Sequence, residues 1–187
     1  MKKQLALIVM ISVAAILLPA SSQANMLKNP SFEAGQYDND QSLPSYWQGT
    51  RSDGHSWYAW KNDDKNKYIA AGGMSETEWG YYKQNISGIM PGQAYIFSAS
   101  VATEVWGNPP SKPTAYLKVE FKDAKDSVLR TDKLAVLSGE NNTWSIKNLT
   151  TNPAPPETTN ADFICSGQGA GTILFDDISV EKKASYR

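Results

Sequence analysis

The sequence predicts an all-β protein, a jelly-roll β-sandwich, on three observations. Short runs rich in aromatic and β-branched residues recur between clusters of turn-forming residues. No apolar period of 3.6 residues lasts long enough for a major helix, which removes the α and α/β classes. Alternation is clear in residues 94–104, where Tyr95, Phe97, Ala99 and Val101 fall on one side and Ser98, Ser100, Ala102 and Glu104 on the other. That is the pattern of a sheet with one face in a core and one in water.

Taken in order, the chain opens with Lys2 and Lys3, an apolar run from Leu5 to Leu18 and the small-residue exit Ser22-Gln23-Ala24. This is the layout of a secretory signal peptide, expected over residues 1–24. The apolar run is shorter than the ~20 residues of a spanning helix, so no membrane attachment is expected after cleavage. The expected product is a secreted monomer, extracellular or periplasmic, folded as one domain over residues 25–187.

Met26 to Glu33 reads as a short strand ending in one acid, and the polar run from Ala34 to Pro44 as a surface loop. Tyr46-Trp47 starts a strand, Ser56 to Trp60 forms an aromatic one, Lys61 to Lys67 is a charged turn, and Tyr68 to Gly73 is a further strand. Trp79 to Ile86 follows. Pro91-Gly92 suits the two corner positions of a turn before the alternating strand at 94–104. The small residues on the outward side of that strand leave room for something to lie across it. A proline-stiffened loop, Val105 to Pro113, carries the isolated Trp106. Tyr116 to Phe121, Leu134 to Leu137, Thr143 to Leu149 and Ala161 to Cys165 read as the next strands.

The final stretch, Gly169 to Val180, read as a Gly-rich turn leading into a strand, organises the rest. Its period of two puts Leu174, Asp176, Ile178 and Val180 on one face and Phe175, Asp177 and Ser179 on the other. A carboxylate among core aliphatics needs a compensating partner. Glu33 offers one if the two ends of the domain meet, because two carboxylates with nearby carbonyls suit calcium. The plainer reading keeps Asp176 on a backbone amide and Glu33 in solvent.

The chain carries 18 basic and 19 acidic residues. Removal of Lys2 and Lys3 leaves 16 against 19, a net charge of −3. This argues against nucleic acid and anionic lipid, and the expected partner is neutral or bound by something other than charge. Cys165 is the only cysteine, which excludes an internal disulfide and reads as a buried thiol. His55 is the only histidine; it rules out multi-histidine zinc sites and sits in a loop composition, where a solvated imidazole is expected. Glu76 and Glu78 flank Thr77, but residues two apart on a strand point the same way rather than across a cleft. A charged edge is the simpler reading.

The aromatics say more. There are 6 Trp and 9 Tyr, many in polar surroundings: Trp57, Tyr58, Trp60, Trp79, Tyr81, Tyr82 and Trp106. Such rings pair an apolar face with a polar tip, which suits the C–H faces and hydroxyl edges of sugars. Trp47 and Trp144 read as core. Parity sets Trp79, Tyr81 and Lys83 on one face and Tyr82, Gln84 and Ile86 on the other, so at most one set lines a groove.

The ordered segments Leu27-Lys-Asn-Pro-Ser-Phe-Glu33, Pro44 with Trp47, Gln84-Asn-Ile86, Pro91-Gly-Gln-Ala-Tyr95, Val119-Glu-Phe121 with Asp123, Thr143-Trp144, Ala154-Pro155 and Phe175-Asp-Asp-Ile-Ser-Val180 resemble the carbohydrate-binding modules of the cellulase-associated 4/9/22 type. These have a galactose-binding-like jelly roll. The resemblance implies a non-catalytic binder of a polysaccharide or oligosaccharide. It also implies a structural calcium between first and last strands, falling on Glu33 and Asp176 with Asp177 as the fallback ligand. By the same resemblance, a sheet face or loop rim lined by aromatics is expected, with Trp60, Trp79, Tyr81 and Trp106 as ring candidates and Gln84 and Glu104 as hydrogen-bonding partners. Two other classes are kept: a jelly-roll glycoside hydrolase or polysaccharide lyase using Glu78 and Glu104, and a calcium-stabilised adhesive surface protein.

Overall fold

The structure, a computed structural model, describes residues 24–35, 43–52, 57–63, 66–105 and 112–184, with the backbone alone for 57–63. The expected signal peptide lies outside the described residues up to Gln23. Among the described residues ten strands form: β1 (Gln48–Arg51), β2 (Trp57–Asp63), β3 (Asn66–Gly73), β4 (Trp79–Ser87), β5 (Tyr95–Glu104), β6 (Thr114–Lys122), β7 (Val128–Ser138), β8 (Asn141–Thr150), β9 (Asn160–Gln168) and β10 (Gly171–Lys182). They make two five-stranded antiparallel sheets, ordered β1-β4-β9-β6-β7 and β2-β3-β10-β5-β8. Consecutive strands often lie in different sheets, as β4 and β5 do. This is the crossing-over expected of a jelly roll.

Alternation builds the core. Tyr82 and Ile86 of β4, Leu117, Val119 and Phe121 of β6, and Phe163 and Cys165 of β9 face Tyr95, Phe97 and Val101 of β5 and Ile173 and Phe175 of β10. Phe163 meets Phe97 edge-on, with ring centroids 5.5 Å apart, and Tyr95 at 6.4 Å. Both contacts have the edge-to-face geometry that aromatic quadrupoles favour. Burial pushes the Cys165 thiol up, so it stays protonated and inert.

Two expectations about the chain ends change. Residues 26–33 form turns rather than a strand, with Asn29 at φ 48° and Phe32 at φ 58°. The Asn29 side chain explains the bend: its Oδ1 accepts from the Ala34 amide and its Nδ2 donates to the Ala34 and Ser45 carbonyls. The segment still runs beside β10, because Met26 N donates to Val180 O and Ile178 N to Pro30 O. Trp47 is buried against Phe32 and donates to Asn29 O, as expected of a core tryptophan.

The parity expected for β10 fails beyond Asp176. Its register against β5 slips between Asp176 and Ser179, and Asp177 takes φ 46°. Such a bulge inserts residues into one strand and resets which face each later side chain takes. Phe175, Ile178 and Val180 therefore all enter the core, while Asp176 shares the outward side with the half-buried Leu174.

Charge is buried at one place on the outer face of β4-β9-β6. Asp162, 2% exposed, accepts from Lys83 Nζ and Lys122 Nζ, each at 2.9 Å, and from Asn85 Nδ2 at 2.8 Å. Burial alone would raise the Asp162 carboxyl, but the hydrogen bonds from Asn85, Lys83 and Lys122 hold it below 3.8. Its stabilisation is thus present above the unfolded value and lost as pH falls through the lower folded one. The Asp162→Asn variant is expected to lose about 3 kcal/mol at neutral pH, since it leaves the Lys83 ammonium without its carboxylate and Lys122 with Asp126 alone. In a melting series descending below pH 4, the parent should lose stability faster than the variant; parallel curves would refute the linkage.

Gln84 ties the N-terminal segment to β4 through both halves of its amide. Its Oε1 accepts from Lys28 N at 2.7 Å and its Nε2 donates to Lys28 O at 2.9 Å. Gln84→Ala should cost about 1–2 kcal/mol in denaturant unfolding, because two half-buried backbone hydrogen bonds are lost. An unchanged midpoint would mean that water replaces the amide.

Candidate functional site

Packing Tyr82 and Ile86 inward turns Trp79, Tyr81 and Lys83 outward on β4. Residues opposite one another across a ladder share a face. Register therefore sets Tyr81, Ser166 and Tyr116 in one row, and Lys83, Ile164, Lys118 and Lys133 in the next. Trp79, Gln168 and Thr114 form the row on the other side.

On this face the Trp79 and Tyr81 rings lie nearly parallel, 10° apart with centroids at 5.5 Å. They border a shallow hollow of about 220 Å³ completed by Lys118, Lys133, Ser166 and Gln168. A second hollow of about 200 Å³ shares Gln168 and is lined by Glu76, Lys112, Thr114, Tyr116 and Gly169. Lys133 Nζ stands 3.8 Å from the Tyr116 ring centre and Lys118 Nζ 5.9 Å from that of Tyr81. Burial, then the neighbouring Lys118 charge, lowers the Lys133 amine below its ordinary value. The arrangement offers two mutually stacked rings edged by an amide, a hydroxyl and two ammonium groups. It suits a ligand with a C–H-rich face and polar edges.

A larger hollow of about 440 Å³ lies between the N-terminal segment and β4, lined by Lys28, Tyr46, Lys83 and Asn85 among others. It holds a single ring, Tyr46, with Lys28 Nζ 5.1 Å from its centre. The smaller hollow is the better candidate because two rings there share one plane direction.

Of the residues singled out from the sequence, Trp79 and Tyr81 come together at this hollow. Gln84 does not: it points to the other side of β4 and is occupied by Lys28. Glu104 ends β5 in the opposite sheet, exposed. The Trp60 side chain and all of Trp106 and His55 lie outside the described residues, although the Trp60 backbone pairs with Ile69. Glu78 Oε2 accepts from Met74 N at 2.6 Å and closes the turn before β4.

Trp144, expected in the core, is 40% exposed and meets Tyr68 edge-on at 5.7 Å. The two rings sit on β8 and β3, so they meet across β10 and β5 on the outer face of the second sheet. Outward-pointing Ala102 is buried there. What lies over the small residues of β5 is thus, in part, this pair.

Asp176, 5% exposed, accepts from Asn66 Nδ2 at 2.7 Å and from the Asp177 amide at 2.8 Å. Burial raises its carboxyl, and the Asp177 and Glu33 charges raise it further against those hydrogen bonds. Glu33 Oε1 accepts from Lys67 N, and its carbonyl from Lys67 Nζ. The three acids are close enough to feel one another, so the electrostatics suit a cation. Among the described residues, however, no three His, Cys, Asp or Glu side chains converge tightly enough to hold one by themselves. Further oxygens would have to come from the main chain or water.

The sequence did not single out Tyr116, Lys118, Lys133, Ser166 or Gln168. Parity against Val119 and Phe121 could have placed Tyr116 and Lys118 on an outer face. The other three need the pairing of β9 and β7 with β6, which carries no local signal.

No protein-family model matches the sequence, and a search of curated proteins finds no significant match. Solved structures do share the fold. TmCBM61, in complex with β-1,4-galactotriose, is 16% identical and aligns over 86% of this chain and 100% of its own, with a TM-score of 0.52. A CBM4 structure is 17% identical over 83% of this chain and 99% of its own, with a TM-score of 0.54. The enzymatically active domain of bacteriophage CBA120 tailspike protein 4 is 14% identical with a TM-score of 0.62, but the alignment, over 85% of this chain, spans 21% of that one. The chain has the jelly-roll sandwich fold of carbohydrate-binding modules.

Proposed function

We propose that this chain is a secreted, non-catalytic carbohydrate-binding module that holds a polysaccharide or oligosaccharide on the outer face of the β1-β4-β9-β6-β7 sheet. The observation that carries the reading is the parallel Trp79–Tyr81 pair bordering a hollow with the Gln168 amide and Ser166 hydroxyl at its edge. Rings of this kind stack on the C–H face of a pyranose, while amide and hydroxyl groups fix its orientation. The carbohydrate-binding modules that share the fold support the ligand class. The Glu78 carboxylate, a candidate acid for a hydrolytic reading, is engaged by the Met74 amide, which disfavours that alternative.

Two stacking rings at roughly 1–3 kcal/mol each, taking base–aromatic stacking as the analogue, give dissociation constants around micromolar to millimolar. Trp79→Ala should weaken binding at least about ten-fold on a panel of soluble glucans, galactans, xylans and mannans, with melting little changed. Equal retention of variant and parent would remove the platform from the account.

A structural calcium belongs to the same reading, held by Glu33, Asp176 and Asp177 with main-chain oxygens. Its chemistry would be neutralisation of the charge that now raises the Asp176 carboxyl. Chelator should lower the melting temperature, with calcium and not magnesium restoring it. Identical melting of metal-free and calcium-loaded protein would eliminate the ion.

A further inference from the structure

The charge balance of the whole chain points to a partner that is neutral or bound by something other than charge, yet the hollow beside Trp79 and Tyr81 has a local charge of its own. Lys118 and Lys133 are directly opposite across the β6–β7 ladder. Like charges in that position repel, and both ammonium groups border the same hollow as the two rings. Lys118 has an answering carboxylate in Glu120 at 2.8 Å. Lys133 has none among the described residues, and its Nζ contacts the face of Tyr116. The third lysine of the row, Lys83, is neutralised by Asp162.

Cationic charge is therefore left over at one place only on this row, the Lys133 end of the platform. A ligand group placed there meets one uncompensated ammonium and one shared with Glu120. A hydroxyl would leave the repulsion between them in place, whereas an anion within hydrogen-bond reach of both would relieve it. The hollow, about 220 Å³, has room for one substituted sugar ring beside the Trp79–Tyr81 platform rather than for a long buried chain.

Resting on the sugar-binding reading above, we propose that the preferred ligand is an anionic saccharide, its ring on Trp79 and Tyr81 and its carboxylate or sulfate between the Lys118 and Lys133 ammonium groups. Lys133 sets the preference for charge; Trp79 sets affinity for any sugar. Because the net charge of the whole chain is −1, general attraction to polyanions does not produce the preference.

The test is calorimetric titration with two matched pairs of polymers: polygalacturonate against its full methyl ester, and dextran sulfate against dextran. Parent protein should bind at least one anionic member about ten-fold more tightly than its neutral counterpart, and the pair that responds identifies carboxylate or sulfate. Lys133→Gln should lose most of that preference without a change in melting temperature, and Lys133→Arg should keep it. The preference should also fade near 1 M salt, where screening acts over about 3 Å. Equal binding of charged and neutral members, or an unaltered preference in Lys133→Gln, would overturn the charge assignment and leave the sugar platform standing. Absence of binding to all four polymers and to the neutral panel would overturn both.

Discussion

Burying Tyr82 and Ile86 against the opposite sheet leaves the other side of β4 no choice, because neighbouring side chains in a strand point to opposite faces. Trp79, Tyr81 and Lys83 must then face outward, and the antiparallel register of β9, β6 and β7 decides what stands beside them. A slip of one residue in either pairing would replace Ser166 and Gln168 with core residues and dissolve the hollow. The outer platform is thus specified by the core behind it. The buried Asp162 cluster holds β4, β9 and β6 together from the outer side, one row beyond the lysines.

The second sheet serves a different purpose. Its outer face is partly closed by Tyr68 and Trp144, and its last strand carries the bulge at Asp176–Ser179 that lets Ile178 and Val180 re-enter the core. The same bulge leaves Asp176 outward but buried, near Asp177 and Glu33, while Ile178 N donates to the Pro30 carbonyl. The two ends of the domain are therefore joined by backbone hydrogen bonds, with an acidic cluster alongside.

Much of the fold was legible in the residues. Alternation in β5 and β6 and the Pro91-Gly92 turn identify strands and their inward faces directly, since period-two patterns are local. The N-terminal turns were not legible, because apolar residues at 26–32 look like a strand and only the reach of the Asn29 side chain to Ala34 and Ser45 bends them. Parity in β10 misled for a similar reason: a bulge changes the face without changing the composition. Two of the six residues that line the candidate site, Trp79 and Tyr81, followed from parity in β4. Lys133, Ser166 and Gln168 come from strands distant in sequence, and their meeting depends on a register that a single chain does not announce. Gln84 illustrates the opposite error, a polar residue near aromatics whose amide is consumed by the backbone of Lys28.

The central claim concerns which of two aromatic outer faces takes the sugar. Chemical-shift mapping of the isotope-labelled protein during titration with an oligosaccharide it binds separates them in one experiment. The account predicts that the Trp79 indole and the amides of Tyr81, Ser166 and Gln168 shift together and saturably. Shifts confined to Tyr68, Trp144 and Ile146, the last 74% exposed on the opposite sheet, would contradict it.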